Sequence, residues 1–133
     1  MIRVPPRRSG AAGRRAAAAA CMLAAACAAD TVAPDQPKVV HDLPLTPYDI
    51  RQDCVSLTVG DRIDYAFNAT EPVRFIIRYR DGNARVAPVV REGMRADSGI
   101  FRPLLAREYC LVWEAGPAGA VLEYRIELHA APR

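Results

Sequence analysis

From Arg51 to the last residues of the chain, apolar side chains recur at every second position, and only an extended strand gathers such residues on one face. Val55, Leu57 and Val59 alternate with Cys54, Ser56 and Thr58 before Gly60-Asp61 turns the chain. Ile63, Tyr65 and Phe67 follow, as far as Thr70-Glu71-Pro72. Val73, Phe75, Ile77 and Tyr79 then alternate with Arg74, Ile76, Arg78 and Arg80 and stop at Asp81-Gly82-Asn83, a hairpin signal. Tyr109, Leu111 and Trp113 resume the pattern, Gly116-Pro117-Ala118-Gly119 interrupts it, and Leu122, Tyr124, Ile126 and Leu128 complete it. The middle is weaker. Arg85 to Arg91 contains Pro88, which predicts an edge strand or a bulge; Glu92 to Gly99 reads as a loop, and Ile100 to Leu105 as a further strand. The predicted fold class is all-β, a single small antiparallel β-sandwich of about six to eight strands. It occupies residues 50–130 and turns eight of the nine aromatic side chains inward.

The first part of the chain has a different character. Met1 to Arg15 carries five arginines and no acid, and Ala16 to Ala26 is an unbroken apolar run. Eleven residues rise only about 16 Å as a helix, roughly half a hydrocarbon layer, so the pattern is that of a cleaved export signal over residues 1–27 and not of an anchor helix. Arg7-Arg8 and Arg14-Arg15 lack the flanking residues of a twin-arginine signal. Residues 28–49 read as a proline-rich linker, with Pro34, Pro37, Pro44 and Pro47 spaced through polar residues. About 20 residues at ~3.1 Å each would hold the domain some 50 to 60 Å from an anchor.

Without the signal, thirteen basic residues face fifteen acidic ones, a net charge of −2, although the whole chain carries +3. A nucleic-acid partner, which requires a positive surface to displace phosphate counterions, is excluded on this balance.

Cysteines report the compartment. Cys21 lies inside the apolar run, Cys27 at its end, and Cys54 and Cys110 in the strand region, where they are expected to pair in an oxidising environment. A bridge across their 56-residue separation restricts the unfolded chain by about 4 kcal/mol in the loop-entropy model. Both sit on the parity opposite the large apolar residues, which places their strands side by side with the bridge off the core face. Leu23-Ala24-Ala25-Ala26-Cys27 resembles the lipobox of bacterial lipoproteins, although the leucine stands four residues before the cysteine where that family prefers three. The resemblance implies lipidation of Cys27 and a membrane partner through that lipid; ordinary cleavage at an Ala-x-Ala site is the alternative.

The stretch from Gly99-Ile100-Phe101 through Tyr109-Cys110-Leu111-Val112-Trp113-Glu114 to Leu122-Glu123-Tyr124-Arg125-Ile126 resembles the end of a GOLD domain, the β-sandwich of emp24-type cargo proteins. It departs from that family in having Glu108 before the tyrosine, and the coiled coil and transmembrane helix of emp24 proteins are missing. The resemblance implies a sandwich with an early-to-late disulfide and a protein- or lipid-interacting role.

Catalytic residues do not assemble in the sequence. His41 falls in the linker and His129 in the tail, Ser56 and Ser98 lack a nucleophile motif, and Asp61, Asp64 and Glu71 read as solvated carboxylates in preference to a cation site. No enzyme activity, metal or cofactor is expected. The outward face of one strand carries Arg74, Arg78 and Arg80, with Arg62 beside them if the preceding strand forms a hairpin. That patch suits an anionic ligand, an envelope protein, a glycan or a lipid headgroup; the alternative is an ordinary charged outer face that Asp64 and Glu123 neutralise and whose arginines guard the sheet edge against aggregation. The functional expectation is an exported, lipid-anchored binding or assembly module; the alternative is an oligomerising accessory acting by strand addition along the Pro88 edge, with an enzyme as a distant third.

Overall fold

A computed structural model describes residues 2–3 and 32–132, and the described chain forms six antiparallel β-strands. They are β1 (Lys38–Leu45), β2 (Ile50–Leu57), β3 (Arg62–Asp81), β4 (Ala84–Phe101), β5 (Arg107–Ala115) and β6 (Ala120–His129). The organising element is the long hairpin of β3 and β4. The first half of β3, Arg62 to Ala69, pairs with β6; the second half, Val73 to Tyr79, pairs with β5; β4 follows both halves along the opposite edge. Outside these, β1 adds to β6 and β2 adds to β5.

The result is one curled sheet whose two halves face each other. Trp113 of β5 stacks on Tyr124 of β6 at 4.3 Å between ring centroids although those strands are not paired, and Phe67 meets Phe75 at 4.9 Å across the bend of β3. This is the all-β sandwich expected from the alternation, and eight of the nine aromatics are in or against the core, with Tyr48 outside. The aromatic rings, interleaved with Val, Leu and Ile side chains, fill one core of the kind a domain this small has to bury.

The bend explains why two expected strands are one. Every inward residue of β3, from Ile63 through Phe67 to Val73 and Tyr79, is odd-numbered, so Thr70-Glu71-Pro72 redirects the chain without changing the face it presents. The strand passes from one half of the sheet to the other while keeping its apolar side on the core.

Three sequence expectations are corrected. The linker assigned to residues 28–49 contains β1, because Val40, Leu43 and Leu45 pack on β6 and an edge strand tolerates Pro44. Residues 28–31 lie outside the described residues. The loop expected over Glu92 to Gly99 is part of β4, and the strand expected over Ile100 to Leu105 ends at Phe101. Two extra residues in β4, one near Pro88 and one near Gly93, shift its register against β3 and flip its parity; that destroys the alternation which would have revealed it. Gly93 has φ +63°, the left-handed geometry such a bulge uses.

Candidate functional site

Cys54 and Cys110 form a disulfide, as expected, and they are directly opposite one another in the β2–β5 ladder. Both strands turn their apolar parity inward, so the bridge lies on the outer face and forms the floor of a groove of about 350 Å³. Gln52, Arg78, Arg80, Arg85 and Glu108 line it together with the two cysteines and Tyr79.

The register across β2, β5, β3 and β4 sorts the four arginines predicted from the sequence. Arg74 stands opposite Glu114 and is neutralised twice, by Glu92 at 2.7 Å and by Glu114 at 3.4 Å. Arg78 stands beside Cys110 and donates to Gln52 Oε1 at 3.0 Å. Arg80 stands directly opposite Arg85, and among the described residues no carboxylate pairs with either. Glu108 is the acid that shares the groove with them. Arg62 does not belong to this patch. It is not on a neighbouring strand but on the far half of β3, beyond the bend, where it binds Asp64 at 3.1 Å.

The patch is therefore Arg78, Arg80 and Arg85. Arg85 was missed although its place follows from the sequence hairpin: a two-residue Gly82-Asn83 turn pairs Asp81 with Ala84, and the next pair is Arg80 with Arg85. Like charges directly opposite on a sheet repel, and both side chains extend into solvent, leaving their guanidinium groups available to an anion.

A second polar cluster was not expected at all. Asp53 is 2% exposed, on the inward side of β2. It accepts from Lys38 Nζ of β1 at 2.8 Å, from Arg51 Nη2 at 3.5 Å and from the hydroxyl of Tyr124 on β6. Arg51 Nε also donates to Tyr124 Oη at 2.9 Å. Burial and the hydrogen bond to Asp53 push the Tyr124 phenol well above its ordinary value. The cluster ties the edge strand β2 of one half-sheet to β1 and β6 of the other, closing the side of the sandwich where no backbone ladder joins them. Its signal was present in the sequence, since Arg51 and Asp53 share the parity of Val55 and Leu57.

The carboxylates considered for a cation are dispersed. Asp61 accepts from the backbone of Thr58 and of Ala131, each at 2.8 Å, Asp64 faces Arg62 and His129, and Glu71 faces Arg95. His41 is exposed beside Glu123, and His129 lies 3.3 Å from Asp64. The sulfurs of Cys54 and Cys110 lie close to Glu108 but are committed to the disulfide. Cys27 lies outside the described residues.

Fold and site together define a small, disulfide-stapled β-sandwich whose exposed chemistry is a surface groove rich in arginine. No protein-family model matches the sequence, and no curated protein matches it. Among solved structures the chain is similar to PliG of Aeromonas hydrophila, a periplasmic inhibitor of g-type lysozyme, with 12% identity, 74% of this chain and 96% of that one covered, and a TM-score of 0.54. It is also similar to the pre-peptidase C-terminal domain of a collagenase from Bacillus anthracis, with 10% identity, coverage of 74% and 91%, and a TM-score of 0.52. At these identities the likeness establishes the β-domain fold.

Proposed function

We propose that the protein is an exported binding module, held at the cell envelope by a lipid on Cys27, that takes an acidic face of a partner protein into the groove above the Cys54–Cys110 bridge. The observation that carries this reading is the Arg80–Arg85 pair. On a protein whose mature charge is −2, two arginines stand directly opposite each other with no carboxylate paired to either among the described residues, and Arg78 extends the same surface, which includes one acid, Glu108. Such a local concentration of positive charge costs stability by self-repulsion and is useful when an anion neutralises it.

Export is supported by the disulfide, which persists in oxidising compartments, and by the basic and apolar segments preceding Cys27. The likeness to a periplasmic lysozyme inhibitor supports a protein partner over a small substrate, since a sandwich of this form serves there as a protein-directed module. A glycan carboxylate or sulfate, or a lipid phosphate, is recognised by the same chemistry, and the probes below separate these sources.

The test is calorimetric titration of the mature protein with poly-L-glutamate, dextran sulfate and phosphatidylglycerol vesicles. Each exposed charge-assisted contact contributes modestly, so the double variant Arg80→Glu, Arg85→Glu should weaken polyglutamate binding about tenfold or more, while Arg62→Glu leaves it near wild type. Binding by the double variant at wild-type strength removes the groove from the account. Preference for dextran sulfate or for vesicles reassigns the partner to a glycan or a headgroup.

A second reading, strand addition, has the free outer edge of the 18-residue β4 in its favour. Pro88, the two bulges and the exposed Arg85, Arg91 and Arg95 all blunt that edge, as sheet edges that resist pairing do. Sedimentation as a strict monomer at high concentration speaks against this reading.

A further inference from the structure

The chain joins the folded domain at a defined end. Val32 is 5% exposed within the core, and Pro34 is bridged to Leu128, whose carbonyl accepts from the Asp35 amide at 3.1 Å. Leu128 is one residue from the end of β6 and faces Ile63 at the start of β3. Only residues 28–31 separate Val32 from Cys27, so covalent geometry holds the two within about 18 Å, far less than a free linker through residue 49 would allow.

The same end carries the turn from β2 to β3 and the loop from β4 to β5. Both extend from the last pair of the β2–β5 ladder, Leu57 with Arg107. Val59 is 65% exposed in the first; Leu104 and Leu105 are 88% and 44% exposed in the second. Arg102 and Arg107 flank the two leucines. Of the acids at this end, Asp61 is held by backbone amides, Asp64 faces Arg62 and His129, and Asp81 faces Arg107 at 3.9 Å, while Asp35 and Glu108 are exposed. Aliphatic loop tips bordered by arginines suit the boundary between phospholipid headgroups and acyl chains, where the leucines are buried and the guanidinium groups meet phosphate.

We infer that this end of the sandwich rests on the membrane, with Leu104, Leu105 and Val59 in the lipid interface and Arg102 and Arg107 on headgroup phosphates. The inference rests on Cys27 carrying the lipid, since that anchor brings this end and not the opposite one, marked by exposed Tyr48 and Ile50, to the bilayer. The anchor supplies attachment; the loops supply orientation.

The experiment uses mature protein reconstituted into vesicles of brominated phosphatidylcholine mixed with phosphatidylglycerol, with tryptophan introduced by Leu104→Trp or, at the opposite end, by Tyr48→Trp. Trp113 is buried and contributes the same background to both. Quenching by the bromolipid should be at least about twofold stronger for the Leu104 variant, because only a side chain below the headgroups meets the bromines. Equal quenching, or stronger quenching at position 48, overturns the inference. Intact mass reports the anchor separately. Acylated protein without the contrast refutes the surface and keeps the anchor; unacylated protein that binds the vesicles from solution with the contrast refutes the anchor and keeps the surface; failure of unacylated protein to bind refutes both. The hairpin tip bearing Arg80 and Arg85 lies at this end too, so the measurement is repeated in the Arg80→Glu, Arg85→Glu background. Contrast that persists belongs to the loops, and contrast that disappears transfers membrane contact to the groove and overturns the inference.

Discussion

Replacing Asp53 by alanine should be the most destabilising single polar substitution in this domain. The carboxylate is almost wholly buried, and its removal takes away an acceptor shared by Lys38, Arg51 and the Tyr124 hydroxyl, leaving Arg51 its bond to Tyr124 Oη. Removing one partner of a buried ion pair costs about 3 to 5 kcal/mol, because the remaining charge stays desolvated without compensation. The Lys38 and Arg51 side chains keep 18% and 28% of their exposure, which lets water reach them and places the cost near the lower bound, about 3 kcal/mol. For a domain of this size that is roughly 15 °C in Tm, and about a fifth to three-fifths of a typical total stability. Urea unfolding followed by Trp113 fluorescence, with the disulfide intact, measures it; Trp113 stacks on Tyr124 and reports the same region. Asp53→Asn, which retains acceptor capacity, should cost clearly less than Asp53→Ala. A loss below about 1 kcal/mol for the alanine variant would show that the cluster is not a clasp between the two half-sheets.

Three further outcomes are expected. Cys54→Ser with Cys110→Ser should cost about 4 kcal/mol, mostly by freeing the unfolded chain, and urea midpoints with and without reductant check it. Gly119→Ala should destabilise by more than the usual ~1 kcal/mol of a glycine replacement, because Gly119 has φ +66° and an added Cβ would lie 2.5 Å from the carbonyl oxygen of Leu45; thermal unfolding decides it. Because the Tyr124 phenol is raised in the folded state, its contribution is complete below pH 10, the ordinary value, and falls as pH rises above it, where the unfolded tyrosine ionises first. Tyr124→Phe should therefore lose less stability than wild type between pH 9 and pH 11, in denaturation curves taken at each pH.

How much of this was legible in the sequence depends on whether a strand keeps its period. β5 and β6 do, and their large inward residues were read directly; β2 does too, but only Val55 and Leu57 were read correctly, since Val59, expected on the same face, is exposed in the turn that follows. The staple was equally legible, because parity put Cys54 and Cys110 off the core and so on neighbouring strands. β4 could not be read because its bulges change which parity faces inward, and an alternation broken twice in 18 residues looks like none. β1 was hidden by the prolines around it, which exclude helix but permit an edge strand. Thr70-Glu71-Pro72 is turn-like in composition, and only the unbroken odd parity on either side separates a bend from a reversal. At the site, Arg78 and Arg80 were found but Arg85 was missed, and the neutralisation of Arg74 was hidden because Glu92 and Glu114 reach it from two other strands. Asp53 was overlooked because a charged residue on an apolar parity reads as an end of the strand and not as part of its core.

The arginine groove is tested most directly by mapping poly-L-glutamate onto the protein by amide chemical shifts. Titration should move the resonances of Gln52, Cys54, Cys110 and the segment from Arg78 to Arg85 together, with a salt-dependent midpoint, and leave the opposite half-sheet around His41 and Arg125 unchanged. Shifts centred on any other face, or none at all at low ionic strength, would contradict the assignment of this groove as the binding surface.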